Sequence, residues 1–397
     1  MKNKSEGQKM QLKNNIQVDQ DNKNTHFELG RIYREKGNLD LSTREFKYIL
    51  NSYKNNDFFI NKLINELEIN DKKVILESKP QAMIVMLSNK CNINCIMCGV
   101  KNKEWELPKK TIKEIIEYFP YLEYIQWQGG EVFLLSYFKD LFKEAARFPN
   151  IRQIINTNGL LITEDWAKDL IESKADITFS IDGVTKDVYE YIRKGAKFEN
   201  LLKNIQHINE AKEKHGSSRT SINSVIMKSN YRQLESFIDF AHIYKFDSLT
   251  LARIDNNFDN KENIFYHKDL EAEHYIKNAL PVIVKKAKDY RLDFISYLYP
   301  ENEYNVSEDL TADENRGAIC YLPWRELVID VIGTRPDCRC IISAGDIFEM
   351  SLSDIWNGQI MQMYRKKLLH CDQKDFCRTE CNLGVIPAKA LKGIAVQ

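Results

Sequence analysis

The stretch "QAMIVMLSNKCNINCIMCG", residues 81–99, decides the fold. It opens on an apolar run, "AMIVML", of the kind shown by a parallel strand buried on both faces. Three cysteines, Cys91, Cys95 and Cys98, then fall within eight positions. A strand that runs straight into a group of metal-binding side chains suggests a parallel β/α architecture. There, chemistry gathers at the C-terminal ends of the strands.

Downstream, the pattern repeats. The strands "YIQWQ", "RQIINT", "DITFSI", "SINSVIM" and "DSLTLARI" alternate with the helical periods "TIKEIIEYF", "YFKDLFKEAARF", "TEDWAKDLIES", "FENLLKNIQHINEAKEK" and "YRQLESFIDFAHIY". Such strand–helix–strand units imply a parallel sheet. Six of them make an α/β fold, a partial (β/α)6 TIM-like barrel, over residues 81–300. Within 256–318 the pattern is less regular, with a helix expected around 269–290 and a polar loop over 301–316. Further on, "ELVIDVIGTRPDCRC" predicts two short strands about a turn at Gly333, and "LSDIWNGQIMQMYRKKLL" predicts a helix capped by Ser353.

Upstream, residues 1–24 are rich in Lys, Asn and Gln and read as a disordered tail. Residues 25–80 read as helical. Within them Leu29, Gly30, Tyr33, Gly37, Ser42 and Phe46 match the spacing of a tetratricopeptide helix pair without its closing proline. An ordinary helical hairpin is the alternative. Either way a single pair cannot bury its face alone, so it is expected to pack on the domain that follows.

Lys plus Arg equals Asp plus Glu, 57 against 57, which argues against a nucleic-acid partner held by bulk charge. The N-terminus has no apolar export segment, and the apolar run before the cysteines is only six residues, far short of the roughly 18 a membrane span needs. A soluble, cytoplasmic protein is expected. The nine cysteines are odd in number and fall in two groups, 91–98 and 320–381, so metal or cluster ligation is a better account than a disulfide framework.

The informative motifs occupy equivalent places in successive units. The cysteine triad follows the first strand, Gly129–Glu131 ("GGE") the second, Asn156–Gly159 ("NTNG") the third and Ser180–Gly183 ("SIDG") the fourth. Each alone is a plausible turn; together they converge on one rim. Zinc sites favour paired CxxC units and four protein ligands. CxxxCxxC instead supplies three thiolates, which suits a four-iron cluster with one iron open. None of the seven histidines shows a metal-ligand spacing.

On these residues, over about 81–255, the chain resembles the radical S-adenosylmethionine (SAM) superfamily. The resemblance implies that Cys91, Cys95 and Cys98 ligate a 4Fe-4S cluster whose open iron binds SAM. Met97 would lie at the adenine. Gly129, Gly130 and Glu131 would face the SAM amino group, and Ser180 and Asp182 the ribose. Arg193 is a candidate partner for the SAM carboxylate. Val132 stands where the family often has proline, which alters a turn and no ligand. Outside the resemblance, Ser180 and Asp182 also read as a turn and helix cap, and Arg193 as an ordinary ion pair.

The second cysteine group, Cys320, Cys338, Cys340, Cys371, Cys377 and Cys381, resembles the SPASM/twitch extension of these enzymes; a zinc knuckle is the alternative. The resemblance implies a small C-terminal α+β iron–sulfur domain over 301–397. Six thiols suffice for one four-thiolate cluster but not two, and Leu368 replaces a cysteine of the full pattern. One auxiliary 4Fe-4S cluster is therefore expected. Cys320, Cys338 and Cys381 are the firmest ligands and Cys377 the fourth, with Cys340 and Cys371 as alternates.

The implied reaction is reductive cleavage of SAM to a 5′-deoxyadenosyl radical that abstracts hydrogen from a substrate carbon. The resemblance implies an oxidoreductase or maturase served by a flavodoxin- or ferredoxin-type reductant. Its substrate would be a sugar- or cyclitol-type small molecule or a peptide. The sequence names no general base. A non-catalytic iron–sulfur or zinc-binding electron-transfer protein is the other reading, against which the Gly–Gly–Glu motif speaks.

Overall fold

Apolar Ala82–Met86 forms β1, a central strand buried almost throughout. The computed structural model describes residues 23–52, 56–99, 104–254, 260–299, 320–331, 333–336, 340 and 342–369. The further strands are β2 Tyr124–Gln128, β3 Arg152–Thr157, β4 Asp176–Ser180, β5 Thr220–Ile226, β6 Ser248–Arg253, β7 Asp293–Ser296, β8 Glu326–Asp330 and β9 Gly333–Arg335. They form one sheet in the order β9-β8-β1-β2-β3-β4-β5-β6-β7. Every pairing is parallel except β8 with β9.

All six expected strands are present, in a mostly parallel sheet whose two ends do not pair with each other among the described residues. Two features of the sheet go beyond the sequence reading. The four-residue strand β7 lies in the irregular stretch. From the C-terminal segment, β8 pairs with β1 in the register Ala82↔Glu326. The sheet thus runs across the division expected near residue 300.

Alternation along the strands sets their two faces. In β5 every second residue is buried, and β2 to β4 follow the same period of two. The buried set, including Ile125, Trp127, Ile155, Ile177, Phe179 and Ile222, joins the main apolar core. The other face carries Gln126, Gln128, Asn156, Thr178, Ser180 and Asn223, all partly exposed. Such uncharged polar residues suit a lumen that takes up ligand rather than packing shut.

Three helices precede the sheet: α1 Lys23–Glu35, α2 Leu39–Ser52 and α3 Asp57–Asn70. The first two form the expected hairpin. A Cβ at Gly30 would come within 2.7 Å of the Phe46 ring, so the glycine lets the helices close. Phe27, Phe46, Ile49 and Leu63 form a small core of their own. Between the strands lie α4 Lys109–Tyr118, α5 Phe138–Ala146, α6 Glu164–Glu172, α7 Lys186–Ile192, α8 Phe198–His215, α9 Leu234–Ile243 and α10 Leu270–Asp289.

The C-terminal part contains α11 Leu322–Arg325, α12 Leu352–Trp356 and α13 Gln359–Leu369. Here the single helix expected from Ser353 is corrected to two. Ser351 is the cap, its hydroxyl accepting the Asp354 N–H at 3.1 Å. The break falls at Asn357, whose side chain accepts from Leu76 N at 2.9 Å and donates to Leu76 O at 2.8 Å. Gly358 follows, and the Asn357 side chain ties the break to a distant backbone segment.

Candidate functional site at the strand ends

The cysteine loop leaves β1 and is tied back at several points. Asn94–Cys95 pairs antiparallel with Arg193–Lys194, beyond α7. Ile96 N donates to Ile192 O at 2.9 Å, and Asn260 Nδ2 donates to Ile96 O at 2.9 Å. Met97 packs beside Ile192, Met227 and Ile254. Elements from distant parts of the chain thus determine where the three thiols sit.

Two of those thiols have N–H groups beside them. Arg193 Nη1 lies 3.8 Å from Cys95 Sγ, and Asn158 Nδ2 lies 3.8 Å from Cys91 Sγ. Desolvation pushes the pKa of both thiols up, that of Cys95 to about 11 against the pull of Arg193. Cys98 adds to the rise at both, and Cys91 to the rise at Cys95, so the three sulfurs share one electrostatic neighbourhood. Binding a metal cluster there would displace thiol protons.

The turn after β2 is pressed onto this loop. Gly130 N donates to Ser88 O at 2.7 Å and Glu131 N to Lys90 O at 2.8 Å. A Cβ at Gly129 would strike Ser88 O, and one at Gly130 would strike Lys90 O. Gly129 also has φ +151, in the region that favours glycine. The close approach these glycines permit is therefore to the backbone leading into the cysteines.

Glu131 is only 2% exposed. Its carboxyl accepts from Thr157 Oγ1 at 2.9 and 3.0 Å and from Asn158 N at 2.8 Å. Burial outweighs these donors and raises its pKa to about 7.

Ser180 ends β4 beside Asn223 of β5. Asp182 is fully buried; it accepts from Val225 N at 2.8 Å and pairs with Arg193 Nη2 at 2.6 Å. Burial raises its pKa while Arg193 opposes the rise. Both members of this ion pair are thus enclosed, with Asp182 the standing counterion of Arg193.

Thr157, Asn158, Asn230 and Asn260 escaped the sequence reading as site residues. "NTNG" marked the place of the first two without assigning a role. Asn230 clamps the Asp182 and Val225 carbonyls at 2.9 and 2.8 Å, and nothing local in the sequence signals it. In the C-terminal group, Cys320 and Cys340 are partly buried against the main core. Cys338, Cys371, Cys377 and Cys381 lie outside the described residues. No described helix is long and apolar enough to cross a membrane.

Comparison with known proteins agrees with this arrangement. The model of the Radical SAM superfamily matches residues 85–241, and that of the SPASM iron–sulfur cluster-binding domain matches 320–382. The cysteine-type anaerobic sulfatase-maturating enzyme of Clostridium novyi is 25% identical over 341 residues, 75% of this chain and 87% of that protein. Mycofactocin maturase MftC of Mycobacterium tuberculosis is 28% identical over 40% of this chain and 41% of its own, so this chain spans under half of that relative. Among solved structures, Streptococcus suis SuiB bound to its precursor peptide SuiA superposes with a TM-score of 0.57 at 17% identity, covering 82% of this chain and 79% of that one. The chain belongs to the radical SAM superfamily and carries a C-terminal SPASM domain.

Proposed function

We propose that this protein is a radical SAM maturase that oxidises or crosslinks a peptide side chain. The observation that carries the chemistry is the contact of the cysteine loop with the Gly129–Gly130–Glu131 turn, which puts three thiols and a buried carboxyl into one assembly. The donor set fits a SAM-binding 4Fe-4S cluster: three thiols on one loop, with N–H groups beside two of the sulfurs. Cys91, Cys95 and Cys98 would hold it. When bound, the cluster and SAM supply a one-electron cleavage that delivers a carbon radical to substrate.

The protein's own residues orient and enclose. Glu131 in its ionised form accepts the SAM amino protons, and Met97 with its apolar neighbours flanks the adenine. Ser180, partly exposed at the end of β4, borders the ribose, whereas Asp182, expected there from the sequence, is enclosed and holds Arg193 in place. Arg193, an always-charged guanidinium held by Asp182, faces the SAM carboxylate. One auxiliary cluster would be held by Cys320, Cys338, Cys377 and Cys381, with Cys340 and Cys371 as alternates. A flavodoxin- or ferredoxin-type protein is the proposed reductant.

A peptide substrate is favoured because maturases, and a structure solved with a precursor peptide, are among the similar proteins. The partly exposed polar residues Gln126, Gln128, Asn156, Thr178, Ser180 and Asn223 support a sugar- or cyclitol-type substrate as the second reading. The test is anaerobic reconstitution, with dithionite and SAM added. About eight irons per chain and release of 5′-deoxyadenosine are expected, falling to about four irons in Cys320→Ala. A protein that takes up zinc alone and leaves SAM intact would sink the proposal. Mass spectrometry of peptide and polyol substrates after turnover separates the two classes.

A further inference from the structure

We propose that Asn158 is a positioning residue that tunes the cluster at Cys91 and ties that cysteine mechanically to Glu131. The proposal rests on the cofactor reading above and assigns a role to the "NTNG" turn, which that reading left unused.

Asn158 is 5% exposed and faces two ways. Its backbone N–H donates to Glu131 Oε2 at 2.8 Å. Its side-chain amide donates to Asn92 Oδ1 at 2.8 Å and reaches Cys91 Sγ at 3.8 Å. The orientation of that amide is determined by its other end, because Oδ1 accepts the Leu160 N–H at 3.0 Å in an Asx turn. With the oxygen engaged, the NH2 group must face the cysteine loop.

The turn is held both by its own side chains and from outside. Gly159 N donates to Thr157 Oγ1 at 2.9 Å, and Asn204 Nδ2 donates to Gly159 O at 2.8 Å. Gly159 has φ +78, a conformation that favours glycine. Asn158 therefore has little freedom to turn away. An N–H directed at a thiolate ligand stabilises the electron-rich reduced state of a cluster and so raises its reduction potential. The same residue also holds the carboxyl proposed to meet SAM.

Backbone and side chain can be separated by mutation. Asn158→Ser keeps the backbone donor to Glu131 and a short acceptor for Leu160, but cannot reach the sulfur. In the full-length reconstituted protein, EPR-monitored dithionite titration should show a four-iron cluster with a more negative potential. Its affinity for SAM should change by less than about twofold. Asn158→Asp, which replaces the N–H donor by an acceptor, should lower the potential further.

Thr157→Val should show the reverse split. It removes the hydroxyl that donates to both Glu131 oxygens and also accepts the Gly159 N–H, so SAM should bind at least about tenfold more weakly, with a shift in potential smaller than that of Asn158→Ser. An unchanged potential in both Asn158 variants overturns the proposal. So does loss of the cluster from Asn158→Ser, because the residue is assigned tuning and not ligation. A wild-type protein that assembles no SAM-responsive cluster sinks the cofactor reading itself, a distinct result.

Discussion

At Gly130 there is no room for any side chain, because a Cβ would meet the carbonyl of Lys90, backbone that cannot swing aside. Gly130→Ala must therefore push the cysteine loop away from the Glu131 turn. The expected cost is about 1–3 kcal/mol, typical of overpacking, and a loss of SAM affinity beyond what stability alone explains. Thermal unfolding and calorimetric titration with SAM check both. Wild-type affinity in a folded Gly130→Ala protein would refute the view that the two segments act as one unit. Glu131, next in the chain, is legible as a carboxylate in the sequence. Its pKa near 7 is not, because that follows from enclosure by other elements.

Among the elements, α3 is tied to two other helices by a buried carboxylate. Glu66 pairs with Arg34 of α1 and, at 2.6 Å, with Arg325 of α11. Burial alone would raise its pKa; Arg325 and Arg34 together bring it down to about 2 from an ordinary 4.5. A carboxyl with a lowered folded-state pKa stabilises the fold above its unfolded pKa and loses that contribution as pH falls. The interval is thus pH 4.5 down to about 2. The contribution above it is about 3 kcal/mol. Urea unfolding should show wild-type stability declining through that interval, while Glu66→Gln is less stable at neutral pH and loses less on acidification. Parallel pH curves for the two proteins would show that the pair does not hold α3.

Over the whole molecule, α3 and the segment between it and β1 are braced by the C-terminal elements. Asn65 Nδ2 donates to Trp324 O at 2.6 Å, and the Trp356 indole donates to Ser78 O at 2.8 Å. Arg365, fully buried, donates to the carbonyls of Val74, Pro323 and Trp356 at 2.7, 2.9 and 2.8 Å and lies over the Trp356 ring. Burial pulls its pKa down to about 9, with Glu68 acting the other way. Arg365→Met would leave those carbonyls without that donor, at a cost of about 1–3 kcal/mol for each one left unpaired. Limited proteolysis should then open the 71–81 segment and the C-terminal part together. Cleavage confined to one of them would refute the bracing.

The sequence by itself determined the parallel strands, the helices between them and the motifs at the strand ends. These depend on local periodicity and on residue types with few other uses, such as CxxxCxxC after an apolar run. It also assigned Cys91, Cys95, Cys98 and Glu131 to one rim, because the ends of parallel strands must lie together. Packing alone fixed the partners across the chain: β8 beside β1, Asp182 enclosed with Arg193, Asn158 between Cys91 and Glu131, and Asn357 bound to Leu76. The physical reason is that a buried polar group must be satisfied by whichever partner packing brings within reach. Strand order and sequence separations of up to 291 residues set that partner, and no local pattern carries the information.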